Sequence, residues 1–222
     1  MKRVKMSKRA RRFRRSASLP PVRGSRRCRA VPWLTFRQQP LPSQPSLRPF
    51  DIAVALRLLL VPEERYEPLA EALVTSTSAV HRAVARLQLA GICRQGTRTV
   101  ARPSLREFVL HGVRYAFPAV HGPERTGLPT AWTHPEVGAL FTDGELPRAL
   151  VWASDRGTVR GESVVPLFTN LPAVAARDPR LHELLALIDV IRAGGTRERR
   201  LVSDILGERL LWGDTSGGAG GA

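Results

Sequence analysis

The chain has 222 residues, of which 43% are hydrophobic and 24% are charged, which is enough for one folded domain with an appended module. Its formal net charge of +16 is concentrated at one end, because residues 1–48 contain 15 Lys and Arg and no Asp or Glu. The rest is nearly neutral, so overall charge alone does not indicate a polyanionic partner for the folded part. The longest apolar run, 52–61, is too short to span a membrane.

Residues 1–48 mix Arg clusters with scattered Pro and show no helical or strand period, which predicts a disordered basic tail. Such a tail is consistent with an arm that holds DNA phosphates, with a transit peptide, or with a translation start assigned too early, the true start being Met6 or a later codon. A twin-arginine export signal is excluded, because no apolar segment follows Arg14 and Arg15.

Residues 49–103 predict a winged helix-turn-helix domain, which begins with a helix of about three turns. Pro49 suits a first helical turn, the apolar residues of 52–60 share one face, and Pro62 ends the helix. A second helix begins at Glu67 and Pro68 and ends near Val74. Glycine is usual at that turn, so Val74 implies either a longer turn or local strain.

A third helix is predicted over 76–89, with Thr75 or Ser76 as its N-cap. Its buried side chains are Val80, Val84 and Leu87. Gly91 permits the left-handed stop that ends this helix. Residues 92–100 are then predicted to form a short two-stranded wing with its tip at 95–97.

Residues 104–211 predict a C-terminal helical extension with an irregular loop and a hairpin. Ser104 and Glu107 have capping-box spacing and would start a helix that ends at Pro118. Because 118–148 is rich in Gly and Pro, we expect an irregular connection there with at most one short helical turn, near 136–141. The segments ALVWA and TVRGESVV on either side of SDRG predict a β-hairpin.

The clearest amphipathic helix follows Asp178, which is a predicted N-cap, and ends at Gly194. Its apolar face either completes the core or forms the interface of a homodimer. A last helix over about 197–211 is expected to turn Leu201, Ile205 and Leu206 inward. A flexible tail is predicted for 212–222. The fold class is therefore mainly α with a small β wing.

The third helix and the wing have the composition of a surface that binds double-stranded DNA. Short hydroxyl side chains and Arg on the exposed face of a helix can contact base edges in a major groove, and Arg on a wing can contact flanking phosphates. The predicted contact residues are Ser76, Thr77, Ser78, His81, Arg82, Arg86, Arg94 and Arg98. The alternative is an antitoxin-like or adaptor module whose winged helix binds a protein partner encoded nearby.

Catalysis has little support in the sequence, and we expect no enzyme activity, metal or cofactor. The five histidines are far apart and form no ligand-spaced cluster, and no phosphate-binding glycine loop or nucleophile elbow occurs. Cys28 and Cys93 give neither a disulfide framework nor a metal pattern, so a reducing cytoplasm is the simplest location.

The motifs LAEAL and STSAVHRAVARLQLAGI, with the short wing, resemble the winged helix-turn-helix of MarR-type bacterial transcriptional regulators. Beyond them, EFVLHGVRYAFPAVHGPERTGLPTA, VRGESVVPLF and DPRLHELLALIDVIRAGGTRERRLVSDIL resemble a largely uncharacterised bacterial helix-turn-helix family. The resemblance covers residues 47–211. It implies a DNA-binding regulator whose recognition-helix positions are Ser76, Thr77, Ser78, His81, Arg82 and Arg86. The chain departs from the pattern at Val74, where Gly is usual, and at Ala79, where an acidic capping residue is common.

Overall fold

The computed structural model describes residues 46–141 and 147–212. Its helices are α1 Pro49–Leu60, α2 Tyr66–Ala72, α3 Thr77–Leu89, α4 Arg102–Glu107, α5 Val113–Ala116, α6 Pro135–Gly138, α7 Leu171–Ala175, α8 Pro179–Ala193 and α9 Thr196–Trp212. A π-helical turn at Phe108–Gly112 joins α4 to α5, and a 3-10 turn occurs at Ala131–Thr133. The strands are β1 His121–Thr130, β2 Leu150–Ala153 and β3 Val159–Val164. The fold is mainly helical with one small sheet, as predicted in outline.

Helix α1 confirms the predicted first helix. Its first turn is stabilised by Asp51, whose Oδ2 accepts a hydrogen bond from the backbone N–H of Arg48 at 2.8 Å. The residues from Ile52 to Leu56 are all fully buried. The helix packs against α3, and it ends two residues before Pro62.

The turn between α2 and α3 contains a strained residue at the position where the sequence lacks a glycine. Val74 has a φ of 50°, in the left-handed region, and its N–H donates to the carbonyl of Glu71 at 3.1 Å. The N–H of Thr75 donates to the carbonyl of Ala70 at 2.9 Å, so the helix ends in a Schellman motif. Of the two alternatives, local strain is therefore correct. A non-glycine residue in this conformation costs about 1–2 kcal/mol.

Helix α3 ends as predicted, but the wing is smaller than predicted. Gly91 has a φ of 73°, and the N–H of Ile92 donates to the carbonyl of Leu87 at 2.9 Å. The expected two-stranded hairpin is reduced to a single antiparallel bridge, between Cys93 and Val100. Residues 94–99 are taken up by a turn, closed by a hydrogen bond from Arg94 N–H to the Thr99 carbonyl at 3.0 Å, which leaves too few residues for a ladder.

The helix predicted to begin at Ser104 begins at Arg102, so the capping box is wrong. Pro103 occupies the first turn, where its missing N–H costs nothing, and Ser104 lies inside the helix. The prediction that 118–148 is irregular is also wrong, because β1 lies there, although the short helical turn is found as α6.

The Gly and Pro residues of β1 are the reason that the sequence predicted an irregular connection there. Its second half pairs antiparallel with β2, for example Leu128 with Trp152, and its first half pairs antiparallel with β3. Where the two halves meet, at Gly127, a Cβ atom would lie only 2.1 Å from the carbonyl oxygen of Trp152. Glycine is therefore needed for the close approach of the two backbones.

The strands β2 and β3 occur where they were predicted, but they do not form a hairpin. They pair with each other in parallel, with Leu150 opposite Glu162, and together with β1 they close a small barrel. The physical reason is that β1 is long enough to pair with both, so each takes an antiparallel position against a different half of it.

Helix α8 is the centre of the core. Asp178 caps it as predicted, with Oδ1 accepting from Leu181 N–H at 3.0 Å. All residues from Leu181 to Ile191 are buried, and α8 contacts α1, α5, α7, α9 and β1. Its apolar face completes the core, so the alternative that it forms a dimer interface is wrong.

Helix α9 confirms the last predicted helix, with one error. Leu206 is buried and Ile205 is half-buried, but Leu201 is 43% exposed. The buried face instead passes through Val202 and Leu210. No helix in the described ranges is both long and apolar enough to cross a membrane. Apart from 46–48 and Trp212, the two predicted tails lie outside the described residues.

Candidate nucleic-acid interface

The first turn of α3 presents hydroxyl groups to solvent. Ser76 is its N-cap, and the Ser76 Oγ accepts from Ala79 N–H at 3.3 Å and lies 3.1 Å from the Ser78 Oγ. Both serines are exposed, while Thr77 is half-buried. An exposed helix N-terminus of this kind carries partial positive charge and unpaired N–H groups, which favour an anionic partner.

Arg82 is the arginine on α3 whose side chain is available to an external partner. Its side chain is exposed, and within the described ranges it makes no hydrogen bond or ion pair. Its guanidinium carries five donors in a planar fork, which fits a guanine edge or a phosphate.

Arg86, one turn later, has an internal partner. Its Nε donates to Asp51 Oδ2 at 2.8 Å and its Nη2 to Asp51 Oδ1 at 2.6 Å, and Asp51 is completely buried. The hydrogen bond and charge of Asp51 raise the pKa of Arg86. The pair joins α1 to α3. Sequence reasoning missed the role of Asp51, although an acidic residue leading into an otherwise apolar helix is a signal that a buried carboxylate needs a cation.

Arg98 and His81 both contact Tyr66, at the start of α2. The rings of Tyr66 and His81 stack with centroids 3.6 Å apart, and the Arg98 guanidinium carbon lies 4.9 Å from the Tyr66 centroid. Arg98 Nη2 also donates to the Glu63 carbonyl at 3.2 Å and pairs with the Glu63 carboxylate at 3.8 Å. These contacts fix the 92–100 turn against α2 and α3, and they engage the face and the Nη2 of the Arg98 guanidinium.

The 92–100 turn is also fastened to α3 by amide side chains. Gln88 Nε2 donates to the Thr97 carbonyl at 2.6 Å, and Gln95 Nε2 donates to the Gln88 carbonyl at 2.8 Å. Arg94 in this turn is exposed, and its side chain has no partner within the described residues. Arg94 is therefore a second available cation, held on a turn of fixed position relative to α3.

The eight predicted contact residues thus separate into two groups. Available for an external partner are Ser76, Ser78, Arg82, Arg94 and the exposed edge of His81. Arg86 and Arg98 are engaged by Asp51 and Glu63, and Thr77 is half-buried.

The chain matches no protein-family model, no curated protein and no solved structure. The case for this surface therefore rests on its own geometry: a capped helix N-terminus with an exposed polar face, beside a short turn fixed by two glutamines.

A second group of polar side chains lies buried between the barrel and α8. Asp189, which is 1% exposed, accepts hydrogen bonds through Oδ2 from Thr130 Oγ1 at 2.8 Å and from Trp152 Nε1 at 2.7 Å. Its Oδ1 accepts from Arg192 Nη1 at 2.5 Å. The ring centroids of His182 and Trp152 lie 5.2 Å apart. No group of three metal-ligating side chains in the described ranges is arranged to hold a metal ion, and every partner named here is internal, which indicates a structural network.

His134 and His182 are the histidines of this network. Their rings meet edge to face with centroids 4.4 Å apart, and His182 Nε2 donates to the Pro129 carbonyl at 2.8 Å. Burial lowers the pKa of both histidines below 6.5. The charge of Glu183 acts in the opposite direction on His134, and the Pro129 carbonyl and Asp189 do so on His182. The His134 Nδ1 is buried without a partner.

We expect stability to fall as the pH drops below about 6.5, the ordinary histidine pKa. The folded state has the lower pKa, so below pH 6.5 the unfolded state binds more protons and is stabilised relative to the folded state. For each histidine, the slope of the free energy of unfolding against pH is at most about 1.4 kcal/mol per pH unit. Urea unfolding between pH 5 and 7.5 measures it.

His182→Gln is the matched control, because its amide N–H can still donate to Pro129 and it does not titrate. The slope should be smaller in this variant. An unchanged slope would mean that other groups cause the pH dependence.

Proposed function

We propose that this protein is a sequence-specific DNA-binding transcriptional regulator, in which α2, the turn at Val74 and α3 form a helix-turn-helix and the 92–100 turn is its wing. The N-terminal half of α3 enters the major groove. Arg82 contacts a base edge, the hydroxyls of Ser76 and Ser78 contact bases or backbone beside it, and Arg94 contacts a flanking phosphate.

The single observation that carries this proposal is the contrast between Arg82 and Arg86. They stand four residues apart on the same helix, yet Arg86 is held by a buried carboxylate, while Arg82 is exposed and unpaired within the described part of the chain. An unpaired Arg beside a helix N-terminus suits an external anion with hydrogen-bond acceptors.

The structure changes the expected contact residues. Arg86 is assigned to stabilising α3, because its donors bind Asp51. Arg98 is assigned to stabilising the wing, because it lies over the Tyr66 ring and its Nη2 donates to the Glu63 carbonyl. His81 is assigned to packing on Tyr66, with its exposed edge free for one further contact.

Arg82→Ala is expected to weaken binding to a specific DNA site by about 1–3 kcal/mol, because it removes one bidentate base contact. Sites selected from random duplexes by the full chain provide the DNA, and fluorescence anisotropy at fixed salt gives the affinity. Binding to unrelated duplexes should change far less.

Arg200→Ala is the matched control, since Arg200 is an exposed arginine on α9 with no partner in the described ranges. Arg94→Ala should lower affinity for all sequences and reduce the salt slope by about one. Equal losses in Arg82→Ala and Arg200→Ala, on every sequence, would contradict the assignment of α3 as the recognition helix.

A further inference from the structure

We propose that the groove between the barrel and α7 is a binding site for a small phosphate-bearing ligand, and that occupancy of this groove acts on the turn between α2 and α3. The ligand site stands on its own geometry. Its regulatory consequence rests on the proposed function.

The groove has a volume of about 830 Å³, within the range of small-molecule sites. It is lined by β1, the loop between β2 and β3, β3 and the start of α7. Three arginines line it: Arg125, Arg156 and Arg160. They come from three different segments, which the fold alone brings together.

The guanidinium groups in the groove are largely uncommitted. Arg125 and Arg156 have no side-chain hydrogen bond or ion pair within the described residues. Arg160 is paired with Glu124 only at 3.6 Å, a distance beyond a normal salt-bridge hydrogen bond. Guanidinium groups with free donors match the several oxygens of a phosphate group, which arginine binds in bidentate fashion.

The groove also contains hydrogen-bond acceptors, which indicate which groups the ligand carries besides its phosphate. Asp155 has no side-chain partner in the described ranges, and Thr126 is exposed. A carboxylate in a groove of net positive charge accepts hydrogen bonds from ligand hydroxyl groups. The site therefore fits a small phosphate ester that carries hydroxyl groups, such as a sugar phosphate, better than a purely apolar ligand.

One side chain joins the groove to the α2–α3 turn. Asn170 lines the groove, and its Nδ2 donates to the backbone carbonyl of Val74 at 2.9 Å. Val74 is the residue held at positive φ, so the hydrogen bond acts on the strained point of the turn. A ligand that draws the Asn170 amide toward itself removes this support and shifts the position of α3.

Binding is tested first without DNA, by titrating the full chain with inorganic phosphate and replacing sodium chloride to keep ionic strength constant. We expect saturable binding that the double variant R125Q/R156Q weakens by about tenfold or more. Arg200→Ala should bind phosphate as the wild type does. Loss of binding in Arg200→Ala, or no effect of the double variant, overturns the site.

Coupling is tested in the same titration by NMR. The backbone amides of Val74 and Thr75 should shift with phosphate in the wild type. In Asn170→Ala, measured at phosphate concentrations that saturate this variant, these shifts should disappear, because the side chain that links the groove to the turn has been removed. Shifts that persist in Asn170→Ala overturn the link.

These measurements separate the two proposals. A protein that binds phosphate in the groove and shifts the turn, but binds no DNA, contradicts the proposed function alone. A protein that binds DNA through Arg82 but shows no saturable phosphate binding contradicts the groove alone. If both hold, phosphate and DNA must change each other's affinity by the same factor.

Discussion

Asp189→Ala is expected to lower the free energy of unfolding by about 3–5 kcal/mol, because it leaves a buried cation without its carboxylate. Arg192 donates to Asp189, and its side chain is only 4% exposed, so little solvent reaches it to replace the lost charge. The variant also removes the acceptor of the Trp152 and Thr130 donors.

The loss is large because Asp189 joins three parts of the fold. Thr130 ends β1, Trp152 lies in β2, and Arg192 donates in turn to the carbonyl of Phe117 at 2.8 Å. A typical domain is stable by only about 5–15 kcal/mol, so a loss of this size makes much of the protein unfold at moderate temperature.

Chemical denaturation of the wild type and of two controls measures the effect. Asp204→Ala removes an exposed carboxylate from α9 and should change stability by less than about 0.5 kcal/mol. Asp189→Asn keeps acceptors for Trp152 and Thr130 but lacks the charge, so it should fall between the wild type and Asp189→Ala. A loss in Asp189→Ala no larger than in Asp204→Ala would show that the network contributes little.

Arg86→Ala is expected to cost about 3 kcal/mol, toward the lower end of the range for breaking a buried ion pair. Asp51 is completely buried, and without Arg86 its carboxylate retains only the Arg48 N–H as a partner. We expect a smaller loss than at Asp189 because Asp189→Ala also removes the acceptor of Trp152 and Thr130, whereas Arg86→Ala leaves only the Asp51 carboxylate unpaired.

The matched control for Arg86→Ala is Arg82→Ala on the same helix. It removes the same side chain from an exposed position and should leave stability within about 0.5 kcal/mol of the wild type. The double variant D51L/R86M replaces the ion pair by apolar groups of similar size and should recover most of the loss. If Arg82→Ala and Arg86→Ala destabilise equally, the pair does not hold α1 against α3.

Together, these two arginine variants also separate folding from DNA binding. Arg82→Ala should reduce DNA affinity at unchanged stability, while Arg86→Ala should reduce stability first. A sequence pattern alone assigns both residues to the same DNA-facing helix, because it does not show which arginine has a buried partner.

The helices that could be predicted have local causes. Helix α1 follows from Pro49 and an apolar run, α3 from the Ser76 cap and the Gly91 stop, and α8 from the Asp178 cap. The strain at Val74 was also open to prediction, since the need for a positive φ at a tight turn between two helices comes from backbone geometry.

The sheet could be predicted only in part, because its causes are not local. The Gly and Pro residues of β1 are typical of loops, but Gly127 is required by a backbone that approaches from β2. Likewise, β2 and β3 are close in sequence and were predicted to form a hairpin, but a long third strand that pairs with both gave each a different partner.

For the candidate interface, the sequence by itself determined which helix carries the exposed Ser76, Ser78 and Arg82, because caps and apolar spacing fix a helix and its outward face. Only the tertiary structure decided which cations remain available. Whether an arginine is free depends on groups distant in sequence, the Asp51 carboxylate for Arg86 and the Glu63 carbonyl and Tyr66 ring for Arg98. The same packing places Asn170 on the carbonyl of Val74.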